Sequence, residues 1–265
     1  MGEAIVITSG KGGVGKTTTT ANLGTALALM DKKVCLIDTD IGLRNLDVIM
    51  GLENRIIYDI VDVIDGRCKL SQALIQDKRF SDLFLLPAAQ TSDKSAVSKK
   101  GMLEIVSELK QDYDYIIIDC PAGIEQGFQN AIAGADAAIV VTTPEKSSVR
   151  DADRIIGLIE QEDMERPRLI INRIRNHMMK DGDMLHIDDI VQILSIDLLG
   201  IVSDSDDVIK ASNNGEPVAL KSNNKASIAY RNIARRILGE TVPLQSLEDS
   251  KGMFHRMKSF FGIRS

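Results

Sequence analysis

The sequence predicts an α/β domain, doubly wound, with a mostly parallel sheet carrying helices on both faces, and an amphipathic helix at the C-terminus. Three observations predict it. Short runs that are apolar at every position recur along the chain, as strands buried on both faces require. Longer segments with apolar residues at helical spacing separate them, the alternation expected of parallel βα units. The glycine-rich and acidic stretches follow directly after the apolar runs, at the strand ends where such sheets place their ligands.

Taken in order, the strand-like runs are AIVIT (4–8), KVCLID (33–38), LFLLP (83–87), YIIID (115–119), AAIVVT (137–142), RLIIN (168–172) and LLGIV (198–202). Helical spacing runs over Thr17–Met30, Lys99–Gln111, Val149–Glu162 and Ile187–Leu194, with a last helix at about 222–238. No repeat or low-complexity tract divides the chain. Residues 1–240 read as one domain, 241–250 as a polar connector and 251–265 as a separate tail.

Composition narrows the function. Of 265 residues, 44% are hydrophobic and 26% charged, ordinary usage for a globular domain. Aromatic residues are scarce, at 4% with no Trp, which disfavours stacking platforms for single-stranded nucleic acid. The net charge of −6 disfavours a protein that coats DNA. Cys35, Cys68 and Cys120 lie far apart, so neither a disulfide framework nor a zinc site is expected, and a reducing cytoplasm is the default. The N-terminus has no basic segment before its short apolar run, so no signal peptide is expected. No stretch approaches the roughly 18 apolar residues of a membrane span.

SGKGGVGKTT (9–18) carries the chemistry. Its spacing Gly10-x-x-x-x-Gly15-Lys16-Thr17 fits the phosphate-binding loop between a strand and a helix. In that loop, backbone N–H groups from Gly10 through Gly12, Gly13, Val14 and Gly15 to Thr18 cradle phosphates, Lys16 neutralises them and Thr17 ligates Mg²⁺. Asp119 ends the YIIID strand, from where a carboxylate reaches Mg²⁺; a helix-capping carboxylate is the alternative. Gly123 can bring a backbone N–H against a γ-phosphate, or simply make a turn. Asp38 and Asp40 share one side of an extended segment, so one can support the metal while the other orients the attacking water; a solvated acidic loop is the other reading. No guanine-type N-K-x-D is present. Asn172, ending the RLIIN strand, can offer its amide to adenine, or be a turn residue.

One residue is unaccounted for by that motif, Lys11. KGGVGKTT (11–18) resembles the deviant phosphate loop KGGxGKT[ST] of the MinD/ParA class of P-loop ATPases. IDTDIGLRNLDVIMG (37–51), IIIDCPAGIEQG (117–127) and SSVRDADRIIG (147–157) resemble its MinD branch of septum-site-determining ATPases. The resemblance covers residues 3–263. It implies a homodimer that sandwiches two ATP molecules, with Lys11 reaching its partner's phosphates in trans, as an arginine finger does. It implies catalytic roles for Lys11, Lys16 and Asp40, metal roles for Thr17, Asp38 and Asp119, and a dimer or partner face at Arg44, Asn45, Glu125 and Asp151. The implied cofactors are ATP and Mg²⁺. The implied partners are a division inhibitor of the MinC type and a topological or ATPase-stimulating factor.

The tail completes the expectation. Residues 251–265 hold Lys251, Arg256, Lys258 and Arg264 and no acid, a charge of +4, so the preceding 250 residues carry −10 of the overall −6. On a helix, Met253, Phe254, Met257, Phe260 and Phe261 fall within about 120° of arc, with Lys258 and Arg256 flanking. Phe and Met edged by basic residues point to an anionic membrane surface. The expected protein is therefore cytoplasmic and peripheral on the inner face of the bacterial cell membrane, cycling with ATP to recruit a division inhibitor. Two relatives are alternatives. A ParA-type DNA-partitioning ATPase is disfavoured by the acidic body. A flagellar-number regulator usually has an N-terminal extension, whereas strand one here begins by residue 4.

Overall fold

The computed structural model describes residues 1–93, 96–162 and 164–245. Its sheet is built from β1 (Glu3–Thr8), β2 (Val34–Asp38), β3 (Ile75–Gln76), β4 (Leu83–Leu86), β5 (Tyr115–Asp119), β6 (Ala137–Thr142), β7 (Arg168–Ile174) and β8 (Asp197–Ser203). Their spatial order is β3-β4-β2-β5-β1-β6-β7-β8. All pairs are parallel except β3 with β4. The chain therefore starts in the middle of the sheet and winds outward both ways, leaving switch points at the carboxyl ends of the central strands.

Each central strand buries alternate residues on opposite faces. Ile5 and Ile7 of β1 join Leu36 and Ile117 on one side; Ala4 and Val6 join Ile37 and Ile118 on the other. The first face is covered by α1 (Lys16–Ala28) and α11 (Lys225–Ile237), through Leu23, Leu27, Tyr230 and Ile233. The second is covered by α5 (Lys99–Asp112), α6 (Gln126–Ile132), α7 (Lys146–Ile159) and α9 (Ile187–Leu194), through Met102, Ile105, Ala131, Ile155 and Ile190. Every strand and long helix named from the sequence is present within a few residues. Short helices α2 (Leu46–Met50), α3 (Ile60–Ile64), α4 (Leu70–Ala73), α8 (Asn176–Lys180) and α10 (Asp206–Asn213) were not expected; the first four are too short for periodicity to register, and α10 carries few apolar residues in its eight.

Helix α1 is buried from Thr19 to Ala28 despite its polar residues. Those residues spend their donors on their own helix. Thr20 Oγ1 donates to the Lys16 carbonyl at 3.1 Å, Asn22 Nδ2 to Thr18 at 2.8 Å and Thr25 Oγ1 to Ala21 at 2.8 Å. Buried polar groups are thereby satisfied in large part within the helix, while Asn22 Oδ1 accepts from the Ala219 N–H at 2.8 Å and Thr19 Oγ1 meets the Tyr230 hydroxyl at 3.5 Å.

No helix of the described residues is long and apolar enough to cross a membrane. The tail residues Met253, Phe254, Met257, Lys258, Phe260 and Phe261 lie outside the described residues.

Candidate nucleotide site

The loop between β1 and α1 sits at the carboxyl end of the central strand. Helix α1 begins at Gly15, which holds φ 98, with no side chain capping the helix and no acidic residue in its first turn. The first N–H groups of the helix are left for an external anion. A Cβ on Gly15 would also stand 2.3 Å from Asn172 Nδ2, so this position admits only glycine. Val14 is buried and plugs the loop into the core, whereas Gly12 and Gly13 are exposed on its rim. Thr18 follows in the first turn of α1. Gly10 lies so close to α7 that a Cβ would be 2.1 Å from the Asp151 carbonyl oxygen.

The two lysines diverge. Lys16 is 8% exposed, and its Nζ donates to Ser9 Oγ at 3.0 Å, beneath the loop. Ser9 Oγ in turn donates to the Lys11 carbonyl at 2.8 Å. Lys11 Nζ turns outward, 3.1 Å from Ser147 Oγ and 3.4 Å from Glu145 Oε2 at the start of α7. Both side chains of that ion pair are about half exposed, so it is weak and easily exchanged.

Beside Lys16 lie two buried carboxylates. Parallel pairing puts Asp38 of β2 opposite Asp119 of β5. Burial, and then the Asp119 charge, push the Asp38 carboxyl well above the usual carboxylate range. Burial raises Asp119 to about 7, against the pull of the Thr17 hydroxyl and the Lys16 charge. Thr20 Oγ1 also donates to Asp119, at 3.3 Å. Among the described residues no group of three His, Cys, Asp or Glu side chains could hold a metal by itself. The donor set is one hydroxyl and two carboxylates, hard oxygen ligands whose mutual repulsion a cation relieves. That suits Mg²⁺, which keeps waters and substrate oxygens in its shell.

Two expectations need correction. Asp38 and Asp40 do not share an extended segment: β2 ends at Asp38, whose Oδ1 accepts from Asp40 N at 2.9 Å and whose Oδ2 accepts from Leu46 N at 3.3 Å. The short carboxylate turns the chain instead of extending it. Asn172 does not end its strand, since β7 runs on to Ile174, and one N–H of its Nδ2 is given to the Val14 carbonyl at 2.8 Å, leaving its Oδ1 and second N–H for a base. Gly123 holds φ 97, with no protein atom within 4 Å of its missing Cβ, and its N–H donates to the Ser9 carbonyl at 3.4 Å.

A cavity of about 250 Å³ opens beside the loop, lined by Gly15, Thr18, Asn172, Arg173, Ile209 and Tyr230 among others. It has the polar and apolar walls that a purine takes. A second, about 40 Å³, lies between Asp40, Thr39, Pro121 and Glu125. The residues expected on a partner face ring the same end of the sheet. Asn45 and Glu125 are exposed, Asp151 half-buried. Arg44 points inward: at φ 46, its Nε donates to Asp47 Oδ2 at 2.8 Å.

Residues 5–218 match the family described as the CobQ/CobB/MinD/ParA nucleotide binding domain. Over the full length of both chains, the sequence is 73% identical to the septum site-determining protein MinD of Bacillus subtilis. The chain belongs to the MinD family. Solved MinD structures superpose on it closely. The MinD chain of the Aquifex aeolicus MinC:MinD cell division protein complex is 51% identical, at a TM-score of 0.85, with 92% of this chain and 98% of that one covered. The Pyrococcus horikoshii septum site-determining protein MinD, solved in complex with Mg-ADP, is 28% identical at a TM-score of 0.82, with 89% and 96% covered. As a MinD-family member the chain is a nucleotide-binding protein of cell division.

Sequence reasoning passed over four residues of this MinD-family site. Ser9 holds both lysines' neighbourhoods together, Thr20 supports Asp119, and Glu145 with Ser147 receives Lys11. Thr20 was legible: it stands three residues after Thr17 in the TTTT run, on the same helix face. Ser9, Glu145 and Ser147 carry no local signal, since their roles come from strands β1 and β6 lying side by side.

Proposed function

We propose that this chain is an ATP-driven switch that positions the division septum. It binds ATP with Mg²⁺, dimerises through the nucleotide, holds to an anionic membrane surface by residues 251–265, and there recruits an inhibitor of the MinC type. The observation that carries the reading is the divergence of the two loop lysines. Lys16 is folded under the loop, where its own subunit's phosphates would lie; Lys11 faces out, available to a second subunit. Mg²⁺ held by Thr17, Asp38 and Asp119 would offset phosphate charge. The chain's own groups do the rest. Backbone N–H groups of residues 10–18 cradle the phosphates, the 250 Å³ cavity takes the base with Asn172 Oδ1 accepting from it, and Asp40 orients the attacking water.

Dimer-coupled lipid binding follows from avidity. One short amphipathic segment is a weak anchor, whereas two on one particle make the second contact intramolecular, worth on the order of 10²-fold or more. Hydrolysis removes the γ-phosphate, so the dimer loses charged contacts across its interface and the anchors separate. Flotation with anionic vesicles tests the scheme: ATP-loaded protein should float and ADP-loaded protein should not. Equal flotation in both states would refute it.

Two substitutions separate the roles. Lys11→Ala should leave ATP binding near wild type yet abolish ATP-dependent dimerisation in light scattering; a normal ATP dimer would remove the trans role. Asp40→Ala should bind ATP and dimerise, but hydrolyse ATP about 10²- to 10⁴-fold more slowly, the usual worth of a positioned acid–base group. Its lifetime on vesicles should lengthen accordingly. Normal turnover in a stimulated assay would exclude Asp40 from the chemistry.

A further inference from the structure

Helix α11 stops in a Schellman motif. The Glu240 N–H donates to the Arg235 carbonyl at 3.0 Å and the Gly239 N–H to the Arg236 carbonyl at 3.1 Å, with Gly239 at φ 84. Arg235 then pairs with the Glu240 carboxylate at 2.7 Å. These contacts are enough to end a helix.

Arg236 makes three more. Its guanidinium donates from Nη1 to the Leu199 carbonyl at 2.9 Å, from Nε to Val242 at 2.9 Å and from Nη2 to Pro243 at 2.8 Å. Leu199 is the extra residue of a bulge in β8, between the pairs Leu169–Leu198 and Ile170–Gly200. A bulge residue leaves the strand ladder, so its carbonyl is open to an outside donor. β8 is also the last strand of the sheet. The rigid fork of an arginine thus ties the chain after α11 to a fixed post on the sheet edge, a geometry that a lysine cannot reproduce. That post lies near the amino-terminal end of β8, away from the nucleotide loops at the carboxyl ends.

We propose that Arg236 is a positioning residue that fixes where the C-terminal segment leaves the domain, so that residues 251–265 start from a defined point on the β8 edge. The inference rests on the membrane reading of that segment. With Pro243 held, about eight residues of reach remain before Lys251, at most roughly 28 Å; released from Gly239, about twelve remain, roughly 42 Å. Effective concentration falls as about the −3/2 power of tether length or more steeply. Loss of the clamp should therefore weaken binding of the second tail about twofold or more.

The test uses the full chain with Arg236→Lys, which keeps the charge and removes the fork. Spin labels at Leu244→Cys and Gln192→Cys, in a background with Cys68→Ser, report the distance from connector to body within one subunit. The parent should give a narrow distance distribution and Arg236→Lys a broad one. Vesicle affinity of ATP-loaded Arg236→Lys should fall about twofold or more with ATP affinity unchanged. Four residues inserted between Gln245 and Ser246 should weaken vesicle binding equally while leaving the distribution narrow, which holds even if Arg236→Lys folds poorly. Equal widths, or wild-type vesicle affinity for both the substitution and the insertion, would overturn the proposal. A chain lacking residues 251–265 that still floats would overturn the membrane reading instead, and the width comparison would still decide the clamp.

Discussion

Lys16→Ala is expected to cost ATP affinity about 2–5 kcal/mol, roughly 30- to several-thousand-fold, the range for truncating one partner of a buried, hydrogen-bonded charge pair. The size of the effect follows from position. Lys16 lies under the loop with its ammonium on Ser9 Oγ, close enough to Asp119 to influence its titration. It is already desolvated before nucleotide arrives, so its attraction to phosphate is not diluted by water. Removing it also takes away the positive charge that favours the ionised form of Asp119. Isothermal titration with ATP, with circular dichroism to verify the fold, measures the change. Affinity within threefold of wild type would mean that the loop does not bind phosphate.

Removal of residues 251–265 should abolish flotation with anionic vesicles and leave ATP-dependent dimerisation intact. Helix α11 ends at Ile237, and Phe260→Glu should do almost as much as the deletion. Burying a Phe is worth about 1.5–3 kcal/mol, and the substitution forfeits that while adding a charge the interface rejects. Lys258→Glu should cost less, about 1 kcal/mol per unit of charge near an anionic surface. Raising the salt should erase much of the Lys258 effect and little of the Phe260 effect. Unfolding of the truncated chain, or flotation of ATP-loaded Phe260→Glu, would show that the tail is packing rather than anchor.

What the sequence revealed, and what it hid, divides along physical lines. Strands such as YIIID were legible because burial on two faces forces every position to be apolar. The phosphate loop was legible because backbone geometry forces glycine at fixed spacing; Gly15 has both a left-handed φ and Asn172 against it. The turn after β2 was misread because a carboxylate can extend or turn a chain, and only the N–H groups of Asp40 and Leu46 decide which. Asn172 was open to the same kind of ambiguity. It lies within β7, which runs on to Ile174, and the claim of the Val14 carbonyl on its amide comes from strands β1 and β7 flanking β6. The outward course of Lys11 was equally hidden, since Glu145 and Ser147 lie more than a hundred residues away in the chain.

The contact between Gly10 and Asp151 has a consequence for how communication in this molecule can be mapped. The first glycine of the phosphate loop lies against the backbone of α7, with its missing Cβ 2.1 Å from the Asp151 carbonyl. Loop and helix therefore meet twice, through this main-chain contact and through Lys11, whose ammonium reaches Glu145 and Ser147 at the start of α7. A scan that trims side chains one at a time will register the Lys11 contact and stay silent at Gly10, where only an added Cβ is felt. Silence at that position would mark a direct mechanical joint, not an absence of contact.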